Sequence, residues 1–246
     1  MKGLGRNLNN FSEHGINNQN AFKELAEEVS ELGYKVGVRI IPFRNANLPI
    51  FSAQDAEKQQ KILRELGTYV RICRTVLSDG RDLRDPMTIT WYAIKEFGLR
   101  PASDLFSFMN NESVIEMHEQ TGIQIFRNLK FYEFCSYSLE ELHCLAWSDL
   151  YTRNEDALNK LFDTFGRIYA GEAKTTTATG ITPHIIEELY SPFRYKIFAS
   201  QDYLSPLFDP HNRAVATVAI ETGRLVNPPV SPQEEEKILK TFQIGI

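Results

Sequence analysis

The chain has 246 residues, 42% of them hydrophobic and 24% charged, with 16 Phe and 10 Tyr, which is enough apolar side chain for one or two packed domains. A net charge of −5 without a long basic run excludes bulk electrostatic attraction to nucleic acid or to an anionic membrane surface. Three cysteines are too few, and odd in number, for a disulfide framework.

In chain order, residues 1–18 are polar and rich in Asn and Gly, and a disordered tail is expected there. Asn20 to Leu32 carries Phe22, Leu25, Ala26, Val29 and Leu32 on one face, the spacing of an amphipathic helix stopped by Gly33. Val36, Val38 and Ile40 alternate within Tyr34 to Phe43, which reads as a strand limited by Pro42. Ser52 to Ser78 is the longest helical pattern, with Ser52 as its cap. Its Ile62, Leu66, Tyr69, Cys73 and Val76 fit either a two-heptad dimerising seam or a helix packed within its own domain. Pro86 suits the first position of a helix running to Phe97 and closed by Gly98, and a short helix follows over Ser103 to Met109. Residues 19–110 thus form a mainly helical region, with a boundary expected at Asn110-Asn111.

Val114 to Phe126 reads as two short strands around a Gly turn. From Phe134 the chain reads as a short helix and a turn before a second helix at Ser138, where Ser138 and Glu141 have the spacing of a capping box. Asn154 to Ala170 is a further helix, and the stretch Thr175 to Ser191 reads as partly helical. Asp209-Pro210-His211-Asn212 then supplies turn residues between two β-rich runs, Ser205–Phe208 and Ala214–Ile220. Ser231 to Phe242 has a cap, a first-position Pro and early acids, and is expected to form a C-terminal helix within residues 227–246.

The segments Phe131–Leu142, Ser148–Tyr151, Glu155–Gly171 and Ser205–Asp209 together resemble the PAS domain family over about Ser113 to Gly223. The hairpin departs from the family pattern in having Pro210-His211-Asn212 where a Gly is usual. The resemblance implies an α+β fold: a PAS-like antiparallel sheet with flanking helices over residues 111–226, preceded by the helical region. It also implies a sensory or regulatory module that binds a small molecule or a protein partner and acts on another chain. The alternative is a non-sensory adaptor or interaction protein built on a PAS-like scaffold. A PAS fold would place its pocket between the sheet and the helix Asn154 to Ala170, and Trp147, Tyr151, Phe162 and Tyr195 are the expected lining.

No catalytic constellation stands out. Neither a Gly-x-x-x-x-Gly-Lys loop, a Gly-x-Gly-x-x-Gly turn nor a Gly-x-Ser-x-Gly elbow occurs. Cys135, His143 and Cys144 give at most three metal ligands, with His143 and Cys144 on different helix faces. The motif of covalent flavin photochemistry is absent, and the sequence names no cofactor. It leaves haem ligation open at His118, His143, His184 or His211, of which His143 and His184 fall on expected helices. Dense aromatics and short strands suit a homodimer. With no apolar leader in Met1 to Gly15 and no run approaching 18 apolar residues, the expected location is cytoplasmic.

Overall fold

The computed structural model describes residues 15–120 and 123–227. The expected C-terminal helix over Ser231 to Phe242, and most of the expected tail, lie outside the described residues. The protein is α+β: a curled antiparallel sheet carries helices on both faces. Among the described residues, no helix is long and apolar enough to cross a membrane.

Helix α1 (Gly15–Lys35) begins five residues earlier and ends three residues later than the apolar pattern suggests. Gly33 does not stop it; the chain turns instead at Gly37, where φ is 78°. Gly33 matters for a different reason: a Cβ there would sit 2.7 Å from Ile40 Cδ1 as the chain folds back. The expected strand over Tyr34 to Phe43 is absent. Only Ile41 makes an isolated parallel bridge, to Ser138, because no neighbouring strand is within reach to build a ladder.

The long helix pattern splits in two, α2 (Pro49–Ser52) and α3 (Ala56–Ser78). Asp55, not Ser52, caps α3, its side chain accepting from the Lys58 N–H at 2.8 Å. Ile62, Leu66, Tyr69, Cys73 and Val76 are all buried within the chain, so the seam packs at home. Helix α4 (Pro86–Glu96) starts as its sequence suggests: the Asp85 carboxylate accepts the N–H groups of Met87 and Thr88, and Pro86 takes the first position. Ser103 to Met109 narrows to a 3₁₀ turn, Leu105–Phe108.

Strand β1 (Arg100–Pro101) precedes the hairpin of β2 (Val114–Glu119) and β3 (Gln124–Arg127). A helical connection follows, made of a 3₁₀ turn at Leu129–Glu133, α5 (Leu139–Cys144), α6 (Trp147–Leu150) and α7 (Glu155–Tyr169). The capping box of α5 forms as its spacing suggests, Glu141 reaching back to the Ser138 N–H at 2.6 Å. The sheet is completed by β4 (Thr177–Ala178), β5 (His184–Glu187), β6 (Lys196–Phe208) and β7 (Ala214–Leu225). The stretch Thr175 to Ser191 is therefore strand and loop. His184, expected on a helix, pairs with Ala199 across the β5–β6 ladder, where the β-branched Ile185 and Ile186 favour an extended chain.

The order β1-β6-β7-β2-β3, with β4 and β5 also paired to β6, puts the longest strands in the middle. Period-two alternation and the register sort the faces. Ile115 and Met117 lie opposite Ile220 and Val218, on the face packed by the N-terminal helices; Tyr69 of α3 meets Phe126 with ring centroids 5.7 Å apart. Val114, Glu116 and His118 share the other face with Glu221 and Ala219, under the helical connection. There α7 packs Leu161 and Ile168 against Leu204 and Ala219. A single buried cluster runs from Phe22 of α1 to Ile220 of β7, continuous across Asn110-Asn111.

Candidate functional site

The inner sheet face under the helical connection is unusually polar. Glu116 and Glu221 stand on it diagonally across the β2–β7 pair, since Glu221 is registered with Val114 two residues from Glu116. Phe131, Phe134 and Tyr151 come over them from the helical connection, and Ile186, Ile197 and Ala199 from β5 and β6. Together with Arg153, which precedes α7, these side chains enclose a cavity of about 40 Å³, room for a few waters.

The electrostatics of the two carboxylates differ. Burial alone would raise Glu116, but His118 Nε2 lies 3.3 Å from its Oε2, and the charges of His118, Arg127 and Arg153 add to that contact, so its carboxyl is held below the usual range. Glu221 is pushed up to about 7, first by burial and then by the negative charge of Glu116, which Arg153 and a 2.9 Å hydrogen bond from Gln201 Nε2 only partly offset. Two like carboxyls have thus been driven apart, one ionised and one poised near neutrality, a pattern that marks functional clefts. Gln201 itself is only 5% exposed, and its side-chain Oε1 has no hydrogen-bond partner among the described residues.

A second polar knot ties this layer to the N-terminal helices. Glu188, just past β5, accepts from the Ser136 N–H at 2.7 Å and from the Tyr195 N–H at 3.1 Å. The Tyr137 hydroxyl donates to the Leu150 carbonyl and accepts the N–H groups of Leu189 and Tyr190. On α5, Glu140 accepts the N–H groups of Ile50 and Phe51 at 2.9 and 3.0 Å, at the start of α2, and Glu141 pairs with Arg44 at 3.2 Å. Burial raises the Glu140 carboxyl, and those two N–H groups pull it back.

Of the expected lining residues, Tyr151 faces the cavity, buried and edge-on to Tyr137 at 5.7 Å. Trp147 opens the short helix α6. Phe162 lies on the outer face of α7 and is 57% exposed, because Leu161, Thr164 and Ile168 take the inward face. Tyr195 packs beside Phe193 at 6.1 Å, next to the Glu188 knot. Glu116, Glu221, Arg153 and Gln201 did not stand out in the sequence: polar residues alternating in a strand, as Glu116 and His118 do, are also the pattern of an ordinary solvent face. The histidines and cysteines disperse, and among the described residues no three His, Cys, Asp or Glu side chains converge to hold a metal. His143 lies against Glu65 of α3 at 3.5 Å, and burial lowers its pKa. No protein-family model matches the chain, and no curated protein matches it.

Proposed function

We propose that the chain is a sensory or regulatory module of PAS-like fold, acting on another chain from the cytoplasm, with the Glu116–Glu221 cavity as its input site. The carrying observation is that pair of carboxyls, set on the polar inner face and roofed by aromatic rings. A helical connection between β3 and β5, packed on one face of a five-strand core ordered β5-β6-β7-β2-β3, supports the PAS-like reading. The output side is the helical layer. Whatever shifts Tyr151 or Ile186 pulls on Glu188 and Ser136, one residue from the Tyr137 that bonds Leu150 and two from the cap of α5, whose Glu140 holds the start of α2. A ligand that favours one arrangement of this chain of contacts shifts its population.

The test is native mass spectrometry with an ultraviolet–visible spectrum of the purified protein, followed by a metabolite screen read by thermal shift. A retained mass, or a ligand whose effect disappears in Ala199→Leu, which fills the cavity from β6, supports the reading. A bare mass and no response across the screen would sink it.

One observation favours the adaptor reading instead: the cavity is small, while apolar side chains stand outside, Met87 and Trp91 one turn apart on α4 and Ile185 beside Phe198 on the sheet. Exposed apolar clusters of this kind mark partner surfaces. A bare mass together with a specific captured partner, lost in Trp91→Ala, would move the function there.

A further inference from the structure

The polar atoms of the cavity say what would complete it. Glu221 feels Glu116 from β2, Arg153 from the turn before α7, and Gln201 and Asp202 from β6, while Glu116 feels His118, Arg127 and Arg153. Three carboxyls thus stand against two guanidinium groups, and His118 is already held by Glu116. Beside Glu221, just outside the cavity lining, Gln201 donates its side-chain N–H to the Glu221 carboxyl, and the Gln201 side-chain Oε1, on the same strand face as Ala199, lacks a donor. A buried acceptor with no donor is costly to leave unmatched. What is missing is one positive charge with several N–H bonds, small enough for about 40 Å³ and compatible with the faces of Phe131, Phe134 and Tyr151. A metal ion fits less well, since no three ligating carboxylates, histidines or cysteines converge among the described residues.

We propose that the cavity binds a small protonated amine, its ammonium group donating to Glu221, in the cavity it shares with Glu116, while its carbon lies against the aromatic wall. This inference rests on the pocket reading above and names its ligand class. The ammonium takes the place of the proton on Glu221. Above pH 7 that carboxyl is already ionised and the amine binds without displacing a proton; below pH 7 the proton competes, and affinity falls about tenfold per pH unit.

The experiment uses the full chain and reads thermal shift and calorimetric binding of methylammonium and ethylammonium chlorides at pH 8 and pH 5.5. Potassium chloride, sodium acetate and ethanol are the inorganic-cation, anion and neutral controls. The expected result is binding by at least one amine and by none of the controls, about thirtyfold weaker at pH 5.5, and lost in Glu221→Gln. Ala199→Leu, which leaves every charge in place and occupies the cavity, should lose it too, and it serves if Glu221→Gln does not fold. Binding of ethanol, potassium or acetate in place of the amines overturns the amine inference and leaves the pocket reading standing. No binding by any probe also overturns it, whereas the pocket reading falls only if the mass and metabolite experiment is blank as well.

Discussion

Replacing Glu221 by Gln should stabilise the protein in a way that depends on pH. A carboxyl with a folded pKa of about 7 and an ordinary value of 4.5 binds more protons folded than unfolded between those limits. Stability therefore falls as pH rises from about 4.5 through 7, and the loss is complete above that. At about 1.4 kcal/mol per pKa unit the gap corresponds to about 3 kcal/mol. The Glu221 side chain keeps partial contact with solvent, and screening brings the expected effect to about 1–3 kcal/mol. Gln keeps the shape and can still accept from Gln201, but carries no charge to desolvate. Wild type and Glu221→Gln should have the same stability near pH 4.5 and diverge by about 2–12 °C in Tm at pH 8. Glu116 works in the opposite sense: its lowered carboxyl contributes stability present above 4.5 and lost in more acid solution, so it leaves the window between 4.5 and 7 untouched. The assay is thermal unfolding by circular dichroism at half-unit pH intervals from 4.5 to 8.5. Parallel curves for the two proteins across that range would refute the assignment of a poised, buried carboxyl to Glu221.

Three further outcomes follow from the same geometry. Tyr137→Phe removes a hydroxyl that donates to Leu150 and accepts two backbone N–H groups in the interior, and should cost about 2–3 kcal/mol in urea unfolding with an unchanged m-value. Glu140→Ala strips the acceptor from Ile50 and Phe51 and should loosen α2 locally, read as faster amide exchange at residues 48–52 ahead of any global change. Burial pushes the thiols of Cys73, Cys135 and Cys144 up to about 12, so iodoacetamide at pH 8 should leave all three unmodified in the folded protein and label them in urea, as intact mass would show.

What the sequence made legible was local. Asp85-Pro86 before α4, Ser138 and Glu141 at α5, and Asp209 to Asn212 between β6 and β7 all work through contacts within five residues, and each formed where its spacing placed it. Val36, Val38 and Ile40 misled because a strand needs a neighbour, and alternation alone says nothing about one. The candidate site was hidden for a related reason. Glu116 and His118 alternate with Ile115 and Met117, the pattern of a sheet with one wet face, and only the packing of residues 129–170 over that face turns them inward. Phe162 failed as a lining residue for the opposite reason: an aromatic side chain on a helix carries no signal of which way the helix rolls, and the inward stripe of α7 belongs to Leu161, Thr164 and Ile168.

The Glu221 carboxyl on the inner face is costly, and that cost is the strongest argument for a function there. Both sheet faces are covered, so an apolar side chain at 116 and at 221 would pack between Val114, Ala199 and Phe131 without desolvating a charge. Replacing buried ion networks by well-packed apolar groups is often neutral or stabilising by about 1–4 kcal/mol. The double substitution Glu116→Leu with Glu221→Leu tests that directly. If the two acids serve only the fold, it should destabilise the protein strongly, because Arg153 and Arg127 are left facing an apolar wall. If they are held for binding, Glu116→Gln with Glu221→Leu, which keeps a polar partner for His118, should match or exceed the wild-type Tm at pH 8 while losing any ligand response. A protein both less stable and still responsive would show that the pair belongs to the scaffold and that the input site lies elsewhere.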